Sequence, residues 1–286
     1  LNHSGVMFSV QGASAERAQL IEAHEFVRRR GIEMHILSCL SALIGSLSKM
    51  GEWDEALKQA ADLLPKLEAT EDIFGILDLR SMETLIYARR GDPAEASAFL
   101  GWVVEKGRES EIGWAKAQAL LAASAVHVQF GDNDAALGLL AECFEASRAT
   151  IALLEIVPEA VRTAIRGGSD ELAARLAQQV ESLLPASRLP LEQHVATTIH
   201  GLVRERSADL EAAAADFAAA AAGWNDFCMP YEEAQALLGR GRCLAALGRA
   251  NQATEPLAAA REIFARLGAR PALAETDELM QQATSA

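Results

Sequence analysis

Along 33–50, apolar side chains recur at three- and four-residue steps: Leu37, Leu40, Ile44 and Leu47. That spacing is one face of an α-helix. Gly51 follows and ends it, because glycine tolerates the left-handed backbone at a helix C-terminus. A second helix starts near Trp53, with Ala56, Ala60, Leu63 and Leu67 on one face. The same track returns late in the chain as Ala253, Leu257, Ala260 and Phe264. Small residues at the first sites of this track let two helices approach closely. Helix, tight turn and antiparallel helix therefore form one unit. The pattern predicts first helices at 33–50, 72–90, 112–130, 158–167, 191–207 and 231–247. Second helices follow at 53–68, 93–108, 133–148, 169–184, 209–224 and 250–267. A helix at 14–30 reads as the second half of a unit whose first half is degenerate or missing. One at 272–283 caps the other end.

The turns repeat as well. Segments opening at Gly51, Gly91, Gly131, Gly168, Ala208 and Gly248 each place an alanine five residues on, and successive starts are 40, 40, 37, 40 and 40 residues apart. A fixed period of about 20–50 residues marks stacked supersecondary units. The expected fold is all-α: a right-handed α-α superhelix, one solenoid over 1–286. A partial unit occupies 1–31, six repeats fill 33–270, and a capping helix covers 271–286. Pro158 opens a short fourth first helix, which accounts for the 37-residue step and leaves 151–157 as a linker or extra turn. Pro185 and Pro190 flank a linker, and Pro230 and Pro271 stand where a helix starts and a missing N–H costs nothing. Pro256 is the misfit. It should kink its helix or mark a later start.

Composition agrees with helices: half the residues are apolar, only 5% are aromatic, and alanine, the strongest helix former, abounds. Lysine plus arginine number 26 against 40 acidic residues, a net charge of −14. That balance argues against nucleic acid and anionic membrane as direct partners. The four cysteines show no CxxC spacing, which suggests a reduced, cytoplasmic setting. Val6 to Val10 is too short for a secretory signal, and the alanine-rich stretch near 212–222 is broken by Asp216. The chain opens on Leu1 rather than Met, so it reads as part of a longer protein.

A helix, a glycine and an alanine five residues later resemble the tetratricopeptide repeat, here with longer helices. Pro230-Tyr231-Glu232-Glu233-Ala234 through Gly241, Leu247-Gly248-Arg249, and Ile263-Phe264-Ala265-Arg266-Leu267-Gly268 are similar to the helical domains of maltose-regulator-type (MalT-like) and LuxR-type regulators and of cyclase-linked signalling ATPases. Pro158 through Gly168 resembles the same class. The resemblance covers about residues 33–271. It implies a sensor or scaffold domain of a bacterial signal-transduction or transcriptional regulator. The motor of such a regulator is not visible: none of the 20 glycines precedes a lysine, so no phosphate-binding loop is written here. The fifteen residues after Pro271 are too few for a DNA-binding domain.

First helices of such repeats line a concave face. Two positions before each turn residue stand Lys49, Arg89, Gln129, Arg166, Arg206 and Ala246. Four cations in an acidic protein suggest a track for carboxylates. The competing reading is that they complement helix C-terminal dipoles. Tyr87, His127 and Trp114 could line the same face, or pack between helices. Trp53, Trp102 and Trp224 read as fillers of inter-helix gaps. His24-Glu25 opens like a zinc motif, but Arg28 takes the second histidine's place. His194 and His200 read as lone surface histidines. No GxSxG segment occurs, and the carboxylates fall on predicted solvent faces. No catalytic residue, metal ligand or cofactor is assigned. The expected function is a non-catalytic interaction or sensor domain. Its partner would be a protein or peptide segment, or another domain of the same regulator. The alternative is a receptor for a small-molecule effector.

Overall fold

The computed structural model describes residues 2–147, 151–184 and 189–285, and among these every regular element is helical. By contacts the chain divides into two units: Leu1–Ala88 with Asp92–Leu153, and Arg89–Gly91 with Leu154–Ala286.

The first unit runs α1 (Asn2–Gln11), α2 (Ala13–Arg30), α3 (Glu33–Lys49), α4 (Trp53–Ala69), α5 (Ile73–Arg90), α6 (Pro93–Ser97), α7 (Leu100–Glu109), α8 (Gly113–Gln129) and α9 (Asn133–Ser147). The second follows a 3-10 turn at Ile151–Ile156, which is the extra turn expected there. Its helices are α10 (Val157–Arg166), α11 (Asp170–Leu183), α12 (Pro190–Arg206), α13 (Leu210–Asp226), α14 (Pro230–Ala246), α15 (Ala250–Leu267) and α16 (Arg270–Ser285). Each helix of the second unit packs on the next in sequence, and α10, α12, α14 and α16 also touch one another in that order. Residue 148 and Pro185 of the predicted helix and linker lie outside the described residues.

The apolar tracks form the core. Ala56, Ala60, Leu63 and Leu67 are buried, as are Ala253, Leu257, Ala260 and Phe264. Trp53 and Trp224 are enclosed, with Trp53 Nε1 donating to the Ser48 carbonyl and Trp224 Nε1 to Thr198 Oγ1. In the second unit Phe217 of α13 lies between two glycines. A Cβ at Gly201 of α12 would fall 2.9 Å from its ring, and one at Gly239 of α14 would fall 2.7 Å away. The absent side chains make the notch that the ring fills.

All five turn glycines of the repeat have positive φ, and Ala208, standing where the sixth would be, is forced to +63°. An L-residue is strained in that region. Ala208→Gly is therefore expected to stabilise the protein by about 0.5–1 kcal/mol, read as a raised thermal midpoint.

One expectation needs correction and two open alternatives are narrowed. The first half of the N-terminal unit is degenerate rather than missing: the short α1 holds its place. The predicted helix at 93–108 is broken into α6 and α7 at Ala98-Phe99. Ser97 Oγ donates 2.7 Å to the Pro93 carbonyl, competing for a backbone acceptor, and the Arg80 guanidinium stacks 3.6 Å over the Phe99 ring. Pro256 does not delay its helix, since α15 begins at Ala250 and continues through it.

Hydrogen bonds and ion pairs join residues about one repeat apart. In the first unit Lys49 binds Glu16, Gln118 binds Asp78, Arg108 binds Glu142, and Gln129 donates to the Ala88 carbonyl. In the second, Arg206 binds Asp170, Arg242 binds Glu205 and Glu275, and Arg249 binds Glu211. Their sequence separations run from 33 to 41 residues. The exposed pairs among them, Arg108–Glu142, Arg206–Asp170 and Arg249–Glu211, each contribute little, roughly 0–1 kcal/mol. Their register follows the repeat.

Candidate functional site

The predicted cationic positions are mostly occupied by internal partners. Lys49 Nζ bonds both oxygens of Glu16, at 3.2 and 3.1 Å, and sits 4.0 Å over the Phe8 ring. Gln129 Nε2 donates to the Ala88 carbonyl at 2.7 Å. Arg89, grouped with the second unit, donates to Glu159 at 3.1 Å. Arg206 grips Asp170 through Nε and Nη2, at 2.8 and 2.9 Å. Arg166 is the exception: its contact with Glu159 Oε1 is 3.6 Å, and it makes no hydrogen bond among the described residues.

Tyr87, Trp114 and His127 do not meet as one lining. Tyr87 packs against Ala88, Ala96 and Val126. Trp114 packs against Leu77, Val103, Ala115 and Ala119, edge-on to Phe74 at 5.1 Å. His127 Nδ1 faces Asp132 at 3.2 Å. His194 is not a surface histidine. Its ring stands edge-on to Phe227 at 4.6 Å, and burial holds its pKa below the ordinary value against the pull of Asp226.

In the second unit, several arginines recur at matching places on the helices that open each repeat. Counting back from the turn residue, Arg162, Leu202 and Arg242 share one position, and Arg166, Arg206 and Ala246 share another. A cavity of about 220 Å³ is built from these sites. Helix α10 supplies Arg162, Ile165 and Arg166 to its wall, and α12 supplies Leu202, Glu205 and Arg206. Gln235 and Arg242 come from α14 and Glu275 from α16. No lining residue comes from α11, α13 or α15.

Behind this wall lies a buried ion network. Arg162 Nη2 donates to Glu159 Oε2 at 3.1 Å and to Glu232 Oε1 at 2.6 Å. All three residues are at most 5% exposed. Burial alone would raise the Glu159 carboxyl. The guanidiniums of Arg162, Arg89 and Arg166 more than reverse that and hold it down at about 2. Burial opposes charge on Arg162 too, yet Glu232 and Glu159 raise its pKa further above the ordinary arginine value. Tyr231 packs beside them, its hydroxyl pushed up by burial and by Glu159. Arg242 is held by Glu205 at 2.7 and 2.9 Å and by Glu275 at 2.7 Å. Four buried polar atoms here have no hydrogen-bond partner among the described residues: Arg89 Nε, Arg162 Nε, Gln235 Nε2 and Glu232 Oε2.

These carboxylates correct the expectation of solvent-facing acids. Pro158-Glu159 and Pro230-Tyr231-Glu232 put a glutamate in a helix's first turn, where it reads as a dipole partner. The arginine shared by positions 162 and 242 was the signal that would have found the network.

Cys243 lies beside Arg242 in the wall's helix, fully buried. Burial, assisted by Glu205, pushes its thiol up to about 12. Cys39 and Cys143 are buried too, whereas Cys228 is exposed. A disulfide reagent at neutral pH is expected to label Cys228 promptly and the other three only after denaturation, as counted by mass spectrometry.

No helix among the described residues is long and apolar enough to cross a membrane, and none of their acidic, histidine and cysteine side chains cluster as a metal site. No protein-family model matches the chain, and no curated protein matches it in sequence.

Proposed function

We propose that the chain is a non-catalytic binding module built from tetratricopeptide-like repeats wound as a right-handed superhelix. It serves as the sensor part of a cytoplasmic bacterial signalling or transcriptional regulator. The observation that carries this reading is the cavity lined only by α10, α12, α14 and α16, at positions that recur with the repeat. A stack of this kind presents one layer of helices to its partner. The partner is a protein segment, or another domain of the same regulator, and the cavity is where a small effector enters.

The test is retention of a partner on the immobilised protein, followed by reconstitution with the purified partner. Arg166 and Arg206 are half-exposed and stand on this layer. Changing both to glutamate is expected to release a partner that the unaltered protein holds. A partner held equally by both would remove this layer as the docking face. Turnover of a small substrate by the purified protein would overturn the non-catalytic reading.

A further inference from the structure

We infer that the cavity between α10, α12, α14 and α16 is a receptor site for a small monocarboxylate of amino-acid size. The inference rests on the reading above and names the ligand chemistry of its site. Three observations carry it.

The first is unspent donors. Arg162 and Gln235 are each 5% exposed, and Arg162 Nε and Gln235 Nε2 have no acceptor. Buried donors without partners are rare, because each costs about as much as a lost hydrogen bond. Arg166 makes no hydrogen bond among the described residues, and Arg206 commits only Nε and Nη2 to Asp170, leaving Nη1. Arg166 and Arg206 thus offer N–H groups to one space, and the Arg162 and Gln235 donors, closed off from solvent, join them by turning on binding.

The second is size. At ~30 Å³ per water, about 220 Å³ holds roughly seven waters. That is below the ~300–1,000 Å³ of sites for drug-sized ligands. A single amino acid or short organic acid fits.

The third is charge. The wall holds four guanidiniums, of Arg162, Arg166, Arg206 and Arg242, and two carboxylates, Glu205 and Glu275. Glu159, Glu232 and Asp170 bind the same guanidiniums from behind. A dianion such as phosphate would meet cations already balanced and carboxylates nearby. A single carboxylate at Arg166 and Arg206 asks for less. The rest of such a ligand would lie by Glu275, whose Oε1 alone is engaged with Arg242.

The test is titration calorimetry and thermal unfolding of the full chain with glutamine, alanine, sodium acetate and inorganic phosphate. Saturable binding of glutamine or alanine at millimolar concentration or below, with a rising thermal midpoint, is expected. Arg166→Gln, at a half-exposed position that leaves the fold intact, is expected to weaken that binding by about tenfold or more. Gln235→Leu, close in shape, is expected to weaken it similarly, with circular dichroism confirming the fold. No binding of any carboxylate would overturn the inference. So would phosphate binding more tightly than the carboxylates, or affinity unchanged in Arg166→Gln. If the carboxylates fail while a partner is still released by the Arg166 and Arg206 changes, the site falls and the binding module stands. If they bind and no partner is held, the reverse is true.

Discussion

Replacing Arg162 with methionine is expected to cost about 3–5 kcal/mol of folding stability at neutral pH, measured by urea unfolding. The arginine is the hub of a buried triad, with Nη2 shared by Glu159 and Glu232. Its loss leaves two enclosed carboxylates without their main counter-charge. The pH dependence distinguishes this from mere loss of packing. In the unaltered protein the Glu159 carboxyl is depressed to about 2 from an ordinary value of 4.5. Its contribution to stability is therefore complete above that ordinary value and disappears as pH falls toward the depressed one. In the methionine variant the same carboxyl loses its largest counter-charge and titrates higher than before, so the penalty grows with pH. The gap between the two proteins is expected to narrow as pH drops from neutral to ~4. A gap that stays constant over that range would show that the loss is steric.

Phe217→Ala is expected to cost about 3–5 kcal/mol, at the upper end of large-to-small substitutions. The ring is 1% exposed, and its neighbours on either side are Gly201 and Gly239. Glycines have no side chains to relax into the vacated space, so the cavity persists. The sign of a second change should depend on the first. With the ring present, Gly239→Ala puts a methyl group 2.7 Å from it and is expected to destabilise by about 1–3 kcal/mol. In the Phe217→Ala background the same methyl occupies empty space, and its cost should vanish or reverse. Additive effects in that double-mutant cycle would mean the helices shift to absorb the change.

The helices were legible because a period and a stop signal coincided. Leu63 and Leu67 pointed inward as their spacing required, and Gly51, Gly91, Gly131, Gly168 and Gly248 all proved left-handed. Ala208 shows the limit of residue type as evidence: the turn forms with the wrong residue because flanking repeats dictate it. The first helix escaped notice because Asn2–Gln11 carries neither charges nor a clear apolar face. The break before Leu100 has no counterpart in the apolar periodicity of 93–108.

The charged site was half readable. Arg166 and Arg206 were singled out by their shared place in the repeat and do line the cavity. Arg162 and Arg242 also share a place, but Leu202 stands between them in the series and hides it. Glu159 and Glu232 looked like ordinary first-turn acids. Nothing local separates a glutamate facing water from one facing an arginine on another helix, since that difference arises only when the helices pack.

The cross-links that reach from one repeat to its neighbour carry a consequence for how such a chain can change length. Arg206 with Asp170, and Arg242 with Glu205, are partners only because a near-constant number of residues separates them. Duplicating a segment of about forty residues would carry each pair along in the same relative place, whereas excising one would set Arg242 against Ile165 or Arg206 against Asn133. An insertion of any other length would strand both charges and move the glycine stops off their corners. Growth by whole modules, with single-residue drift suppressed, is the lineage history this bonding pattern favours.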